Sequence, residues 1–188
     1  FMLKLIKTRI KGCLILPKKI HKDNRGSFIE LYQKKIFSKI INHSFVQENY
    51  SISKKNVFRG MHFQVNKPQG KLLNLISGEI DDIILDLRQK SPTFGKSICV
   101  RLSEKNYRQI WIPAGLAHGF LSKQENTIII YNCTEFYYPK LERCISFRDK
   151  RISKFIKNKK FIISKKDNEG MLFDEYVKNL TSKKVSHI

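Results

Sequence analysis

The chain has 188 residues, 41% apolar and 11% aromatic, which is enough for one globular domain with a substantial core and argues against disorder. No apolar run approaches the ~18 residues of a membrane span. The lysine-studded start, FMLKLIKTRIKGCLILPKK, lacks a small-residue cleavage site, so no signal peptide is expected and a cytoplasmic location follows by default. The net charge of +21 invites a nucleic-acid reading, but the lysines are spread out, thicken mainly over 150–166 and 178–184, and have few aromatics among them; an anionic small molecule is the expected ligand, with no nucleic-acid partner.

In chain order, residues 34–42 suit a short helix, and alternation then takes over. KLLNLI (71–76) puts Lys71, Leu73 and Leu75 on one face. EIDDIILDLR (79–88) puts Ile83, Leu85 and Leu87 on one face and Ile80, Asp82, Ile84 and Asp86 on the other, as in a barrel with a partly polar interior. SICVRL (97–102), YRQIWIP (107–113) and NTIIIYNCT (126–134) are further strands. Turn signals separate them at 66–70, 77–78, 91–95 and 113–115. A second helix is expected over 167–180, with Asp167 near its start. Many short strands at this spacing indicate an all-β sandwich or barrel with a helical C-terminal tail. Cys13, Cys99, Cys133 and Cys144 form no CxxC and suit buried thiols in a reducing compartment.

Two histidines lie in small-residue settings. His62, in FRGMHFQ (58–64), shares a strand face with Gly60 and Gln64; Arg59 falls on the opposite face unless Gly60 hosts a bulge. His118 follows a Pro-Gly turn in PAGLAHGF (113–120). An imidazole can serve as a base near neutral pH. Lys71, set in an apolar strand, must snorkel or meet an anion. Asp82 can orient a histidine, and Tyr131 and Tyr137 are phenols placed to donate protons from the far side of a substrate.

Six segments, DNRGSFIE (23–30), FVQENYS (45–51), FRGMHFQ, SPTFG (91–95), RQIWIPAGLAHGF (108–120) and YNCTEFYYP (131–139), resemble the dTDP-4-dehydrorhamnose 3,5-epimerase family in order, from about residue 8 to about 172. The resemblance implies a cupin-type jelly-roll β-barrel with a few short helices, a single domain over 1–188 with a basic C-terminal tail, no metal or other cofactor, and a homodimer. Gln64 stands where a metal-binding cupin has a second histidine and Lys71 where it has a carboxylate. An amide is a poor ligand for a transition metal, and a cation repels one.

The implied reaction is epimerisation at C3 and C5 of a dTDP-linked 4-keto-6-deoxyhexose through an enolate; a single-centre epimerase and a non-catalytic sugar-nucleotide binder are the alternatives. By the same resemblance His62 is the base, Asp167 orients it, Lys71 stabilises the enolate and Tyr137 delivers the proton on the far face. His118 and Tyr131 match further pocket positions, Arg25 and Arg59 meet the diphosphate, and Phe28, Glu30, Gln47 and Asn49 match base, sugar or subunit contacts. Three features depart from the family pattern: 145–162 lacks the usual tryptophans and prolines, Phe63 replaces a tyrosine, and Tyr138 stands where a small residue is usual and is expected to narrow the pocket.

Overall fold

A computed structural model describes residues 5–156 and 160–181. Its thirteen strands are β1 (Ile6–Lys7), β2 (Leu14–Pro17), β3 (Ile20–Asp23), β4 (Gly26–Ile29), β5 (Gln47–Ser53), β6 (Phe58–Gln64), β7 (Lys71–Ser77), β8 (Glu79–Asp86), β9 (Ser97–Ser103), β10 (Arg108–Ile112), β11 (Leu116–Ser122), β12 (Thr127–Cys133) and β13 (Glu142–Cys144). They form a six-stranded sheet in the order β1-β2-β10-β7-β12-β5, a five-stranded sheet β13-β6-β11-β8-β9, and a separate hairpin β3-β4. All pairings between these strands are antiparallel. The fold is therefore mostly β, as the alternation predicts, and each expected strand lies within a residue or two of its place.

The alternation also explains the packing. Leu73, Leu75, Ile110, Ile112 and Ile129 of one sheet meet Ile80, Ile84, Leu102 and Phe120 of the other, forming the core between them. The alternate residues of β8, Ile83 and Leu85, are equally buried on the outside of the five-stranded sheet, because Ile152, Phe173, Tyr176 and Leu180 of the C-terminal segment cover them. A strand buried on both faces reads as nearly continuous apolar sequence, which is what IILDL is. The SPTFG turn is held by Asp86 at the end of β8, whose carboxylate accepts from Ser91 Oγ (2.7 Å), Thr93 Oγ1 (2.6 Å) and Arg88 Nε (2.9 Å).

Helices occupy less of the chain than expected. The first, α1 (Lys34–Phe37), covers only the start of 34–42; its Phe37 packs with Ile41 on Leu16, Leu72 and Trp111, outside the six-stranded sheet. After α2 (Lys150–Ser153), the single helix expected over 167–180 is instead two, α3 (Lys165–Asn168) and α4 (Phe173–Thr181). The break follows from packing. A Cβ at Gly170 would lie 2.8 Å from Ser146 N, and Met171 forms a parallel bridge with Ile145, so the chain runs extended between the helices. The part of the expected basic C-terminal tail beyond residue 181 lies outside the described residues.

Candidate active site

A cavity of about 340 Å³ opens between the two sheets, within the size range of small-molecule sites. His62 on β6 and His118 on β11 line one wall. Lys71 on β7, Tyr131 on β12, and Gln47, Asn49 and Ser51 on β5 line the other. Tyr137, from the segment after β12, and Glu142 on β13 stand at the rim.

Arg59 lines the cavity with His62, which strict alternation forbids. The reason is the bulge: β6 pairs His62 with His118 but Arg59 with Phe120, so the register slips between them. Gly60 absorbs the slip with φ of 124°, and a Cβ there would sit 2.5 Å from Gly119 Cα. Among the described residues the guanidinium donates to uncharged acceptors, Ser53 Oγ (3.0 Å) and Ile52 O (3.2 Å), which leaves its charge available to an anion.

Each histidine has a carboxylate behind it. His62 Nε2 lies 2.6 Å from Asp167 Oδ1, and the freed Gly60 N–H donates to Asp167 Oδ2 at 3.0 Å. Burial pushes the Asp167 pKa up, but the bonds from His62, Gly60 and the capping Ser164 outweigh it and hold the carboxyl below its usual value. An ionised carboxylate only accepts, so in the neutral imidazole Nε2 carries the shared proton and Nδ1 keeps the lone pair. His118 Nε2 lies 2.6 Å from Asp82 Oδ1, the orienting role expected of Asp82.

The polar ends of Lys71, Tyr131 and Ser51 in this pocket have no hydrogen-bond partner among the described residues. Burial pushes the Lys71 pKa down, against the pull of Cys133 and Asp82. Burial pushes the Tyr131 phenol up, so it stays protonated. Tyr137 differs: its hydroxyl donates to Glu142 Oε2 at 3.0 Å and lies 3.5 Å from Lys166 Nζ, which also pairs with Glu142.

The family described as dTDP-4-dehydrorhamnose 3,5-epimerase matches residues 7–175. The chain belongs to this family. A dTDP-4-dehydrorhamnose 3,5-epimerase of Salmonella typhimurium is 45% identical over 154 residues, covering 80% of this chain and 84% of that one. One from Methanothermobacter thermautotrophicus is 44% identical over 147 residues, covering 78% and 80%. Among solved structures, a dTDP-6-deoxy-D-glucose-3,5-epimerase of Legionella pneumophila, in complex with dTDP-4-keto-L-rhamnose, superposes with a TM-score of 0.89 at 35% identity over 99% of this chain and 98% of that one. The protein is accordingly an isomerase, dTDP-4-dehydrorhamnose 3,5-epimerase-like.

Within this epimerase, three expected ligand contacts stand apart from the cavity. Arg25 and Phe28 lie on the β3-β4 hairpin and Glu30 just beyond it. Arg25 is held by Asp23, Glu30 accepts from Gln33 Nε2 at 3.3 Å, and Phe28 is 69% exposed. Tyr138 does not narrow the pocket either: its hydroxyl accepts from Lys67 Nζ at 3.1 Å, and it is absent from the cavity lining. Gln64 is buried outside the lining, with its amide committed to neighbouring backbone. Residues that the sequence reading missed are Glu142, Lys166, Gln69 and Ser51. Ser51 was legible, since it shares strand parity with Gln47 and Asn49; Glu142 and Lys166 needed the path of the rim.

Proposed function

We propose that this epimerase inverts C3 and C5 of dTDP-4-dehydro-6-deoxyglucose, giving dTDP-4-dehydrorhamnose. The observation that carries the reading is an oriented imidazole facing, across a cavity of sugar size, the half-buried Lys71, whose amino group has no partner among the described residues. His62 Nδ1 removes the proton alpha to the 4-keto group. The C–H electron pair shifts into the enolate, and Lys71 stabilises the developing oxyanion, usually the largest contribution in such reactions. A phenol then protonates the carbon from the opposite face, and before the second centre reacts His62 gives its proton to solvent and the phenolate takes one back.

Tyr131 is the better placed phenol. It stands on the wall facing His62, burial keeps it protonated, and its hydroxyl is uncommitted, whereas the Tyr137 hydroxyl is already engaged by Glu142. Tyr137, the acid expected from sequence, then serves as a rim contact for the ligand. In Tyr131→Phe, deuterium from D₂O is expected to enter the sugar with configuration retained, while epimerisation falls by about 10²-fold or more. The same pattern in Tyr137→Phe but not in Tyr131→Phe would return the role to Tyr137.

Arg59 also borders an adjoining crevice with Lys54 and Lys166, a cationic setting suited to the diphosphate. A homodimer accounts for the exposed apolar outer face of the six-stranded sheet, where Tyr50 is 58% and Ile52 54% exposed, and for the hairpin that extends Arg25 and Phe28 away from their own cavity. Light scattering checks it, and a monomer at working concentration would sink it. Four free thiols and a nucleotide-activated substrate accord with a cytoplasmic location.

NMR of dTDP-4-keto-6-deoxyglucose in D₂O tests the whole reading. Deuterium is expected at both C3 and C5. Label at one carbon makes this a single-centre epimerase, and binding without label makes it a sugar-nucleotide binder.

A further inference from the structure

We propose that Gln64, with Gln47 and Gln69, is a positioning residue: three carboxamides clamp the strap of residues 135–138 and so fix the Tyr137 phenol at the pocket rim. Gln64 Oε1 accepts the Tyr138 N–H at 2.7 Å, while its Nε2 donates to Phe136 O at 3.0 Å and to Lys67 O at 2.8 Å. Gln47 Oε1 accepts the Tyr137 N–H at 2.8 Å, and its Nε2 donates to Asn49 Oδ1 at 2.9 Å. Gln69 Nε2 donates to Glu135 O at 2.9 Å. Every residue of the strap thus has a backbone group held by a glutamine side chain.

The strap is otherwise tied by its phenols and at its exit: Tyr137 donates to Glu142, Lys67 donates to the Tyr138 hydroxyl, and Leu141 N–H donates to Tyr138 O. Phe136 is 53% and Tyr137 45% exposed, so burial of their rings contributes little to its position. Gln64, at 3% exposure, is the anchor: its buried amide uses both its oxygen and its nitrogen on this segment and on the turn at Lys67. A glutamine suits the task because a carboxamide both donates and accepts, whereas a carboxylate or an ammonium does one only. The position where a metal-binding cupin carries a ligand has thus become the fastening point of the pocket mouth. Gln47, expected as a ligand contact, has its amide oxygen committed to the strap and its nitrogen to Asn49.

The catalytic part of this inference rests on the proposed function, since it takes Tyr137 as a contact for the sugar nucleotide; the clamp itself does not. Two measurements on Gln64→Leu separate them. Amide hydrogen exchange at Tyr137 and Tyr138 is expected to quicken by about tenfold or more as the strap loosens, with the β-sheet amides unchanged. Unchanged exchange at those two amides overturns the clamp, whatever the protein catalyses. The value of kcat/KM is expected to fall about tenfold, mainly through KM, in line with the cost of a loosened supporting contact. That loss should largely vanish when Gln64→Leu is made in a Tyr137→Ala background, because the two act through one group. A fully additive loss, which a merely structural role would give, overturns the positioning role. If Gln64→Leu does not fold, Gln69→Ala, which removes only the bond to Glu135 O, carries the same two measurements with smaller expected changes.

Discussion

Replacing His62 with asparagine is expected to lower kcat by about 10²–10⁴-fold, the usual share of a general base, while leaving the fold intact. The imidazole is partly exposed to the cavity, and its hydrogen-bonded partner among the described residues is Asp167, so its removal opens no void in the core between the sheets. Asp167→Asn should lower turnover nearly as far by a different route. An amide can turn its nitrogen toward Nε2 and donate to it, which moves the lone pair away from the substrate and leaves the imidazolium without its counter-charge. Stopped-flow turnover and deuterium exchange measure both variants, and a thermal melt checks the fold. Near-normal exchange in His62→Asn would mean that the base is some other residue.

Lys71→Met is expected to lower kcat by about 10²–10³-fold, the scale found when one oxyanion-stabilising group is removed. It should also make the protein more stable. Burial lowers the folded-state pKa of Lys71, so folding disfavours the ammonium, and below that lowered pKa the full cost of burying it is present. Between the folded and unfolded pKa values the unfolded chain binds more protons, so this group's contribution to stability rises with pH across that window. The wild-type melting temperature should therefore approach that of Lys71→Met as pH rises toward about 10, the ordinary range of lysine. Wild-type activity should decline over the same rise, as the ammonium that stabilises the enolate loses its proton. A variant that is less stable than wild type, or nearly as active, would remove Lys71 from this role. The trade-off is that of a site held in a strained electrostatic state for chemistry.

The strands were legible because alternation is a local property of the chain. Lys71, Leu73 and Leu75 could be placed on one face from spacing alone, and the two apolar faces of β8 were visible before anything was known to cover the outer one. The bulge at Gly60 was legible only as a condition, since sequence shows where a slip is possible and not whether the partner strand imposes it. Arg59 reached the cavity through that slip. The break between α3 and α4 was hidden because its cause is distant: Gly170 packs against the backbone of Ser146, which periodicity within 167–180 does not register. The rim was hidden for the same reason. Glu142 and Lys166 meet Tyr137 through the paths of two separate segments, and the glutamines that hold the strap come from β5, from the end of β6 and from the turn that follows β6.

Asp167 reaches His62 from 105 residues downstream, on the segment whose apolar residues also cover the outer face of the five-stranded sheet. A chain that has not yet finished folding, or one cut ahead of that segment, therefore lacks the orienting carboxylate and the cover of the sheet together. On the proposed mechanism, full activity in this design follows assembly: a molecule that turns over at the full rate has covered the outer face of its five-stranded sheet, and a copy without that segment turns over far more slowly.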